Sequence, residues 1–172
     1  MIRTDLAATA TPAAVRGFMR KWATGVAVVT SCSAGTPVGC TVNAFTSVSL
    51  CPPLLLVSLA QRSHTLAAAT AWGAFGVNLL TWRQRHLAEQ FAGAASDRFC
   101  GVEHRLWRGV PVLDGALGVA VCTVEQIIPV ADHALLLGSP QWCDDRAEAA
   151  QLDGHDAAPA VFFGGGYRRA DP

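Results

Sequence analysis

From Trp22 to Gln61 the chain carries no charged side chain at all, and this run restricts its possible folds more than any other feature. A charge-free stretch of that length either seeks a membrane or builds the wall of a folded core. A spanning helix needs about 20 consecutive apolar residues. Here Gly35, Gly39, Pro52, Pro53 and many Ser and Thr interrupt every apolar segment before that length is reached. At the centre of the run, Thr41-Val42-Asn43-Ala44-Phe45-Thr46-Ser47-Val48-Ser49-Leu50 sets Val48 and Leu50 on one side and Ser47 and Ser49 on the other. That is the period of a strand. Its polar face has two readings. Ser and Thr simply favour strands and turns, or neutral donors and acceptors on a rigid strand hold a polar aromatic ring system out of water.

The flanking segments supply turns and short helices. Residues Met1 to Thr11 read as a loose tail, and Thr11-Pro12 as an N-cap followed by proline at the first helical position. Val15, Phe18, Met19 and Trp22 then form one apolar stripe opposite Arg16, Arg20 and Lys21, in a helix expected to end at Thr24-Gly25. The stripe is expected to pack into the core, with Trp22 as an alternative shield for a ligand. Val26 to Cys32 and Val38 to Val42 read as the arms of a hairpin around Ser33-Ala34-Gly35-Thr36-Pro37. Pro52-Pro53 enforces an extended link before a buried strand from Leu54 to Leu59. Ser63 is placed to cap the Ala-rich helix Leu66 to Trp72. The same junction, with Arg62 beside free backbone N–H groups, also suits an anion.

Further on, Ala74 to Leu80 reads as a strand containing Asn78, and Trp82 to Phe91 as a helix. A loop follows with Asp97-Arg98-Phe99. Val102 to Gly115 reads as irregular, with Val110, Val112 and Leu113 tucked onto the core. Leu117 to Val130 is a long strand, and Ala134 to Leu137 returns from a turn at Asp132-His133. Cys143 to Ala158 reads as a polar excursion, Ala160 to Phe163 as a last strand, and Gly164-Gly165-Gly166-Tyr167 as the close of the chain. Six or seven strands in hairpins, without regular strand–helix alternation, argue for a mainly β, antiparallel barrel with helices packed outside. The length suits one domain over 1–172.

Composition excludes several functions. The net charge is zero with no basic stretch, so nucleic-acid binding has no electrostatic support. Charged residues make up 15% of the chain, against about 25% in typical domains. Such scarcity suggests surface hidden against a second copy, hence a homodimer. Six cysteines form no C-x-x-C pair and have no histidine at zinc-ligand spacing, so no metal site is expected. Without a signal-peptide pattern, reduced thiols in the cytoplasm are the expectation. No G-x-G-x-x-G, P-loop or nucleophile elbow is present. Of the histidines, only His133 sits in a tight turn between apolar strands, as a plain turn residue or facing a cofactor. A chain without nucleophile or metal, if an enzyme, points to an organic cofactor carrying the chemistry.

Several ordered segments together are specific. Trp22-Ala23-Thr24-Gly25-Val26, Thr41 to Leu50 and Pro52-Pro53-Leu54 are joined by Arg62-Ser63-His64-Thr65-Leu66 and Phe75-Gly76-Val77-Asn78-Leu79. Phe91-Ala92-Gly93, Asp97-Arg98-Phe99, Pro111 to Ala116 and Asp132-His133 complete the set. From Phe18 to Tyr167 the chain resembles the short-chain flavin reductases, the reductase components of two-component flavin-dependent monooxygenases. The resemblance implies a split β-barrel of the FMN-binding, Greek-key type. It implies a homodimer that reduces FMN or FAD with NADH or NADPH and releases the reduced flavin to an oxygenase. Carried over, Thr41, Val42, Asn43, Ala44, Phe45 and Ser47 would line the isoalloxazine ring. Ser58, Arg62, Ser63 and Thr65 would hold the ribityl chain and phosphate. Arg98 and Phe99 would close over the flavin, and His133 would place the nicotinamide. The chain departs from the family pattern at Cys51, usually acidic, at Ala131, usually Gly, and at Gly166, often Arg. A non-catalytic flavin carrier on the same barrel is the alternative.

Overall fold

In the computed structural model, which describes residues 9–95, 97–144 and 158–170, strands dominate. In chain order they begin with α1 (Pro12–Met19), β1 (Thr24–Gly25), β2 (Ala27–Ser33), β3 (Thr36–Val42), β4 (Phe45–Leu50) and β5 (Pro53–Ala60). Next come α2 (His64–Trp72), β6 (Ala74–Leu79), a 3-10 turn at Trp82–Gln84 and α3 (Arg85–Ala92). The chain continues with β7 (His104–Trp107), β8 (Val110–Leu113), β9 (Gly118–Val130), β10 (His133–Asp144), β11 (Ala160–Phe163) and β12 (Gly166–Arg169). All pairings are antiparallel among the described residues.

The connection between β3 and β4 dictates the shape of the main sheet. Its seven strands run in the order β3-β2-β6-β9-β10-β5-β4, so β3 and β4 are its two outer strands. Only Asn43 and Ala44 join them. Laid flat, six inter-strand spacings of about 4.8 Å would separate these edges by about 29 Å. Three Cα steps from Val42 to Phe45 reach about 11 Å at most. The sheet must therefore curl until its edges nearly meet. They stay unzipped, with the Ser58 N–H donating to the Ala44 carbonyl at 2.9 Å near the link. The result is a split barrel.

Burial follows the strand period. Val29, Val57, Val77, Leu136 and Phe75 fill the barrel interior. The other face of β2 is covered as well, since Val28 packs with Leu87, Ala88 and Phe91 of α3, which is why β2 reads as an almost continuous apolar run. Phe75 also explains a glycine. A Cβ at Gly138, where β10 shifts register against β9, would come within 2.5 Å of the Phe75 ring.

The structure corrects five expectations. Val102 to Gly115 is not irregular, because it contains the β7–β8 hairpin, which Asn78 staples to the barrel. The Asn78 amide donates to the Val28 carbonyl at 3.0 Å, and its Oδ1 accepts the Leu113 N–H at 2.8 Å. Val110, Val112 and Leu113 are buried as expected. Helix α1 stops at Met19, and Thr24–Gly25 pairs with β11 instead of ending a helix. The α1 stripe is not core: Phe18 is 71% exposed and Trp22 65%. Finally, Gly166 and Tyr167 open a strand, β12, which turns back on β11. The count of six or seven strands was low because β1, β7, β8 and β12 are too short to show a period. Of the expected 143–158 excursion, Cys143 and Asp144 belong to β10 and residues 145–157 lie outside those described, as do residues 1–8 of the tail.

Candidate functional site

Where the barrel fails to close, a cavity of about 480 Å³ opens along the seam. One wall is the end of β3 with its link, Cys40, Thr41, Val42 and Asn43. Facing it are Ser58, Leu59 and Ala60 of β5, then Arg62, Ser63 and His64 at the start of α2. Phe91 and Ala92 of α3, Arg98 and His133 complete the lining. Thr41, Val42, Asn43, Ser58, Arg62, Ser63, Arg98 and His133, expected at a common site, are thus brought to one groove. A smaller cavity of about 200 Å³ continues from Val42 and Asn43 toward Phe162 and Tyr167.

The other expected residues lie around it. Ala44 and Phe45, with Asn43, line a separate cavity of about 490 Å³ that opens toward Met19 and Trp22. Thr65 and Phe99 line a further cavity, of about 710 Å³, beyond Arg98. Phe99 also packs edge-on against Phe91, ring centroids 4.9 Å apart, so it is a wall of the packed interior rather than a free cover. Ser47 is exposed on β4 and lines none of these cavities. Next to it, Ser47 pairs with Leu55 and Ser49 with Leu54, which leaves Val48 as the extra residue of a bulge. The bulge breaks the simple alternation read from the sequence, and Val48 and Leu50 are 52% and 88% exposed.

Hydrogen bonds define what each group can still offer. The Thr41 hydroxyl donates to the Ala88 carbonyl at 2.7 Å, tying β3 to α3. It keeps lone pairs for a ligand but has no proton to spare. The Tyr167 hydroxyl donates to the same carbonyl at 3.3 Å. Burial, reinforced by Glu89, raises the Tyr167 pKa, so the phenol stays neutral at physiological pH. Ser63 caps α2 by accepting the Leu66 N–H at 3.4 Å. This uses only a lone pair, and although the hydroxyl also lies 3.9 Å from Cys40 Sγ, its O–H can turn to a ligand, so capping and anion binding are compatible. The Arg98 guanidinium donates to the Gly39 carbonyl at 3.0 Å, and Gln90 holds the Arg98 carbonyl at 2.9 Å.

Gln61 is a residue that sequence reasoning passed over. Its amide donates to the carbonyls of Ala131 at 2.8 Å and His133 at 3.3 Å, and its backbone N–H to the Asp132 carbonyl at 3.0 Å. It clamps the β9–β10 turn onto the groove. Its only signal in the sequence was adjacency to Arg62-Ser63. Within that turn, His133 Nδ1 lies 2.8 Å from Asp132 Oδ1. That hydrogen bond, more than the histidine charge, lowers the Asp132 pKa. Ala131 takes a left-handed φ of 52°, which explains why glycine suits this position. Cys40 and His64, also unassigned from sequence, line the groove beside Ser63.

Among the described residues no carboxylate lines the groove and no cluster could hold a metal ion. None of their helices is long and apolar enough to cross a membrane. The arrangement suits a ligand with a flat, polar, uncharged ring at the β3 wall and an anionic end at α2.

Residues 19–171 match the model of the flavin reductase like domain. A probable flavin reductase of Rhizobium meliloti is 43% identical over 74% of this chain, which spans only 42% of that relative's length. An NADH:FMN oxidoreductase of Rhodococcus erythropolis is 38% identical, over 91% of this chain and 81% of its own. Among solved structures, the styrene monooxygenase flavin reductase of Pseudomonas putida S12 superposes with a TM-score of 0.79. It is 31% identical, and the match covers 91% of this chain and 96% of that one.

Proposed function

The chain belongs to the flavin reductase-like family and is an NAD(P)H:flavin oxidoreductase, and we propose that the seam groove is where it binds flavin. One observation carries this assignment. The groove combines a neutral wall, Thr41 to Asn43 with Ser58, and a capped helix start beside Arg62 and Arg98, with no lining carboxylate among the described residues. These residues fit a flavin. Neutral groups suit the ring edge, and helix N–H groups with guanidinium cations suit a phosphate.

A flavin held there would supply the redox chemistry, as the acceptor of hydride from a nicotinamide. The side chains need not move a proton at the reacting centre. Their work is to hold two flat rings about 3–3.5 Å apart and to keep bulk water from between them. His133 stands at the rim where the second ring enters, fixed by Asp132 and by the Gln61 clamp. Neutral contacts at the ring bind the flavin only moderately, as suits a reduced product that diffuses to a monooxygenase; the Pseudomonas putida relative is named as the flavin reductase of styrene monooxygenase.

The active form in this reading is a homodimer. Val15, Phe18, Met19 and Trp22 stand 49–71% exposed along one side of α1 and its exit, the kind of apolar patch that marks an interface. Met19 and Trp22 also border the cavity at Phe45, so a second copy would seal the outer side of the ring wall.

The test adds NADH or NADPH and excess free FMN or FAD to purified protein in air and follows nicotinamide absorbance. Oxidation that scales with free flavin is expected. Flavin binding without turnover would make the protein an electron carrier and end the reductase reading. His133→Ala should raise the KM for the nicotinamide more than it weakens flavin binding. Equal losses remove His133 from the nicotinamide side.

A further inference from the structure

The 710 Å³ cavity beyond the groove is larger than the groove itself, and His64 and Arg98 belong to the walls of both. A ligand anchored by a phosphate at the start of α2 can therefore continue past that phosphate into a second chamber. FMN cannot use this space, because it ends at its single phosphate.

The chamber's lining points to what would enter. One wall is β3, from Pro37 to Gly39; the opposite wall is α2, the exposed Ala67 and Ala71 with buried Ala68 between them. Any longer side chain at these alanines would fill the space, so their size is what keeps it open. With Phe99 they offer flat apolar surface of the kind a purine ring occupies. Thr65 supplies an independent sign. It is 1% exposed, lines this chamber rather than the groove, and its hydroxyl has no hydrogen-bond partner among the described residues. A hydroxyl that opens onto the chamber from an otherwise buried residue is placed to meet a polar ligand group. Arg98, pinned to the Gly39 carbonyl, brings a guanidinium to the junction, and no described carboxylate opposes it in either chamber.

Building on the flavin-binding reading of the groove, we propose that this second chamber takes the adenosine half of a flavin dinucleotide. Its diphosphate crosses at His64 and Arg98 beside Thr65, and the flavin that the chain prefers is FAD over FMN. The same adenosine diphosphate chemistry occurs in the nicotinamide dinucleotide, so the test must separate the two sources.

Purified protein is titrated with FAD, FMN and AMP without nicotinamide, then assayed for NADH oxidation. FAD should bind at least about tenfold more tightly than FMN, and AMP, which lacks the phosphate that FMN places at α2, should displace FAD but not FMN. Ala67→Trp and Ala71→Trp, both at exposed helix positions that tolerate a large side chain, should weaken FAD at least about tenfold and leave FMN within about twofold. Retained FMN binding shows that the variants fold. Equal affinity for the two flavins in the wild type overturns the proposal. So do variants that raise the KM for NADH while FAD affinity stays unchanged, since the chamber would then belong to the nicotinamide dinucleotide. If FMN is reduced and only the FAD preference is missing, the reductase assignment survives. If neither flavin binds, both readings fall.

Discussion

Helices α1 and α2 begin alike and end up in opposite surroundings. Each starts with a hydroxyl cap, Thr11 accepting the Ala14 N–H at 3.2 Å and Ser63 the Leu66 N–H at 3.4 Å. Helix α1 carries the well-formed apolar stripe, yet none of its residues is buried. Helix α2, with four alanines among its nine residues, buries Thr65, Leu66, Ala68 and Ala69. An apolar stripe shows that a helix has a face to cover; it does not say whether the same chain covers it. Small residues let α2 lie close on β2 and leave room outside for a ligand. The stripe on α1 stays exposed among the described residues.

The contrast can be broken most directly by truncating one apolar residue in each helix. Leu66→Ala should cost about 2–5 kcal/mol in urea unfolding, because it opens a cavity under α2. Met19→Ala should leave the monomer within about 0.5 kcal/mol and act instead on the dimer–monomer equilibrium. Comparable losses in the monomer would show that α1 is packed after all.

The caps sharpen the same comparison at smaller scale. Ser63→Ala should lose about 1 kcal/mol of stability and weaken flavin binding by a similar amount, about 1 kcal/mol for one hydrogen bond. Thr11→Ala removes a cap from a helix that frays by itself, and its cost in global unfolding should be under half as large. If Ser63→Ala leaves flavin affinity untouched, Ser63 is a cap alone.

Two smaller effects concern the turn clamped over the α2 side. Ala131→Gly should gain up to about 1 kcal/mol in thermal unfolding by relieving the left-handed backbone. A loss there would mean that the turn is not strained. The smallest effect is on acidification. The folded Asp132 pKa lies below its ordinary 3.8, so its contribution is present above 3.8 and lost as pH falls through the lowered value. Asp132→Asn should flatten that part of the stability profile. Because Asp132 is exposed, the change should be close to the limit of measurement.

Much of the site was legible because its signals are local. The start of α2 at Ser63, the turn at Asp132-His133 and the neutral wall from Thr41 to Asn43 each depend on a few adjacent residues. The misreadings involve partners far along the chain. Thr41 gives its proton to Ala88, 47 positions away, and Asn78 anchors Leu113, 35 positions away. A strand of four residues such as β7 or β12 has too few positions to display its period. The Val48 bulge changes register without any proline or glycine to announce it.

Taken alone, the amino-acid order settled the strand period, the proline-enforced link before β5, the helix caps and the absence of charge from the central wall. These follow from backbone preference and side-chain alternation within a few residues. Closure was decided only in three dimensions. The two-residue link between the outer strands forces the sheet to curl, and the unzipped seam that results is the groove. Long-range pairing also decided that the α1 stripe faces outward, and that alanines on α2 border a second chamber instead of a packed core. Burial depends on what lies opposite a surface, and no stretch of chain specifies that for itself.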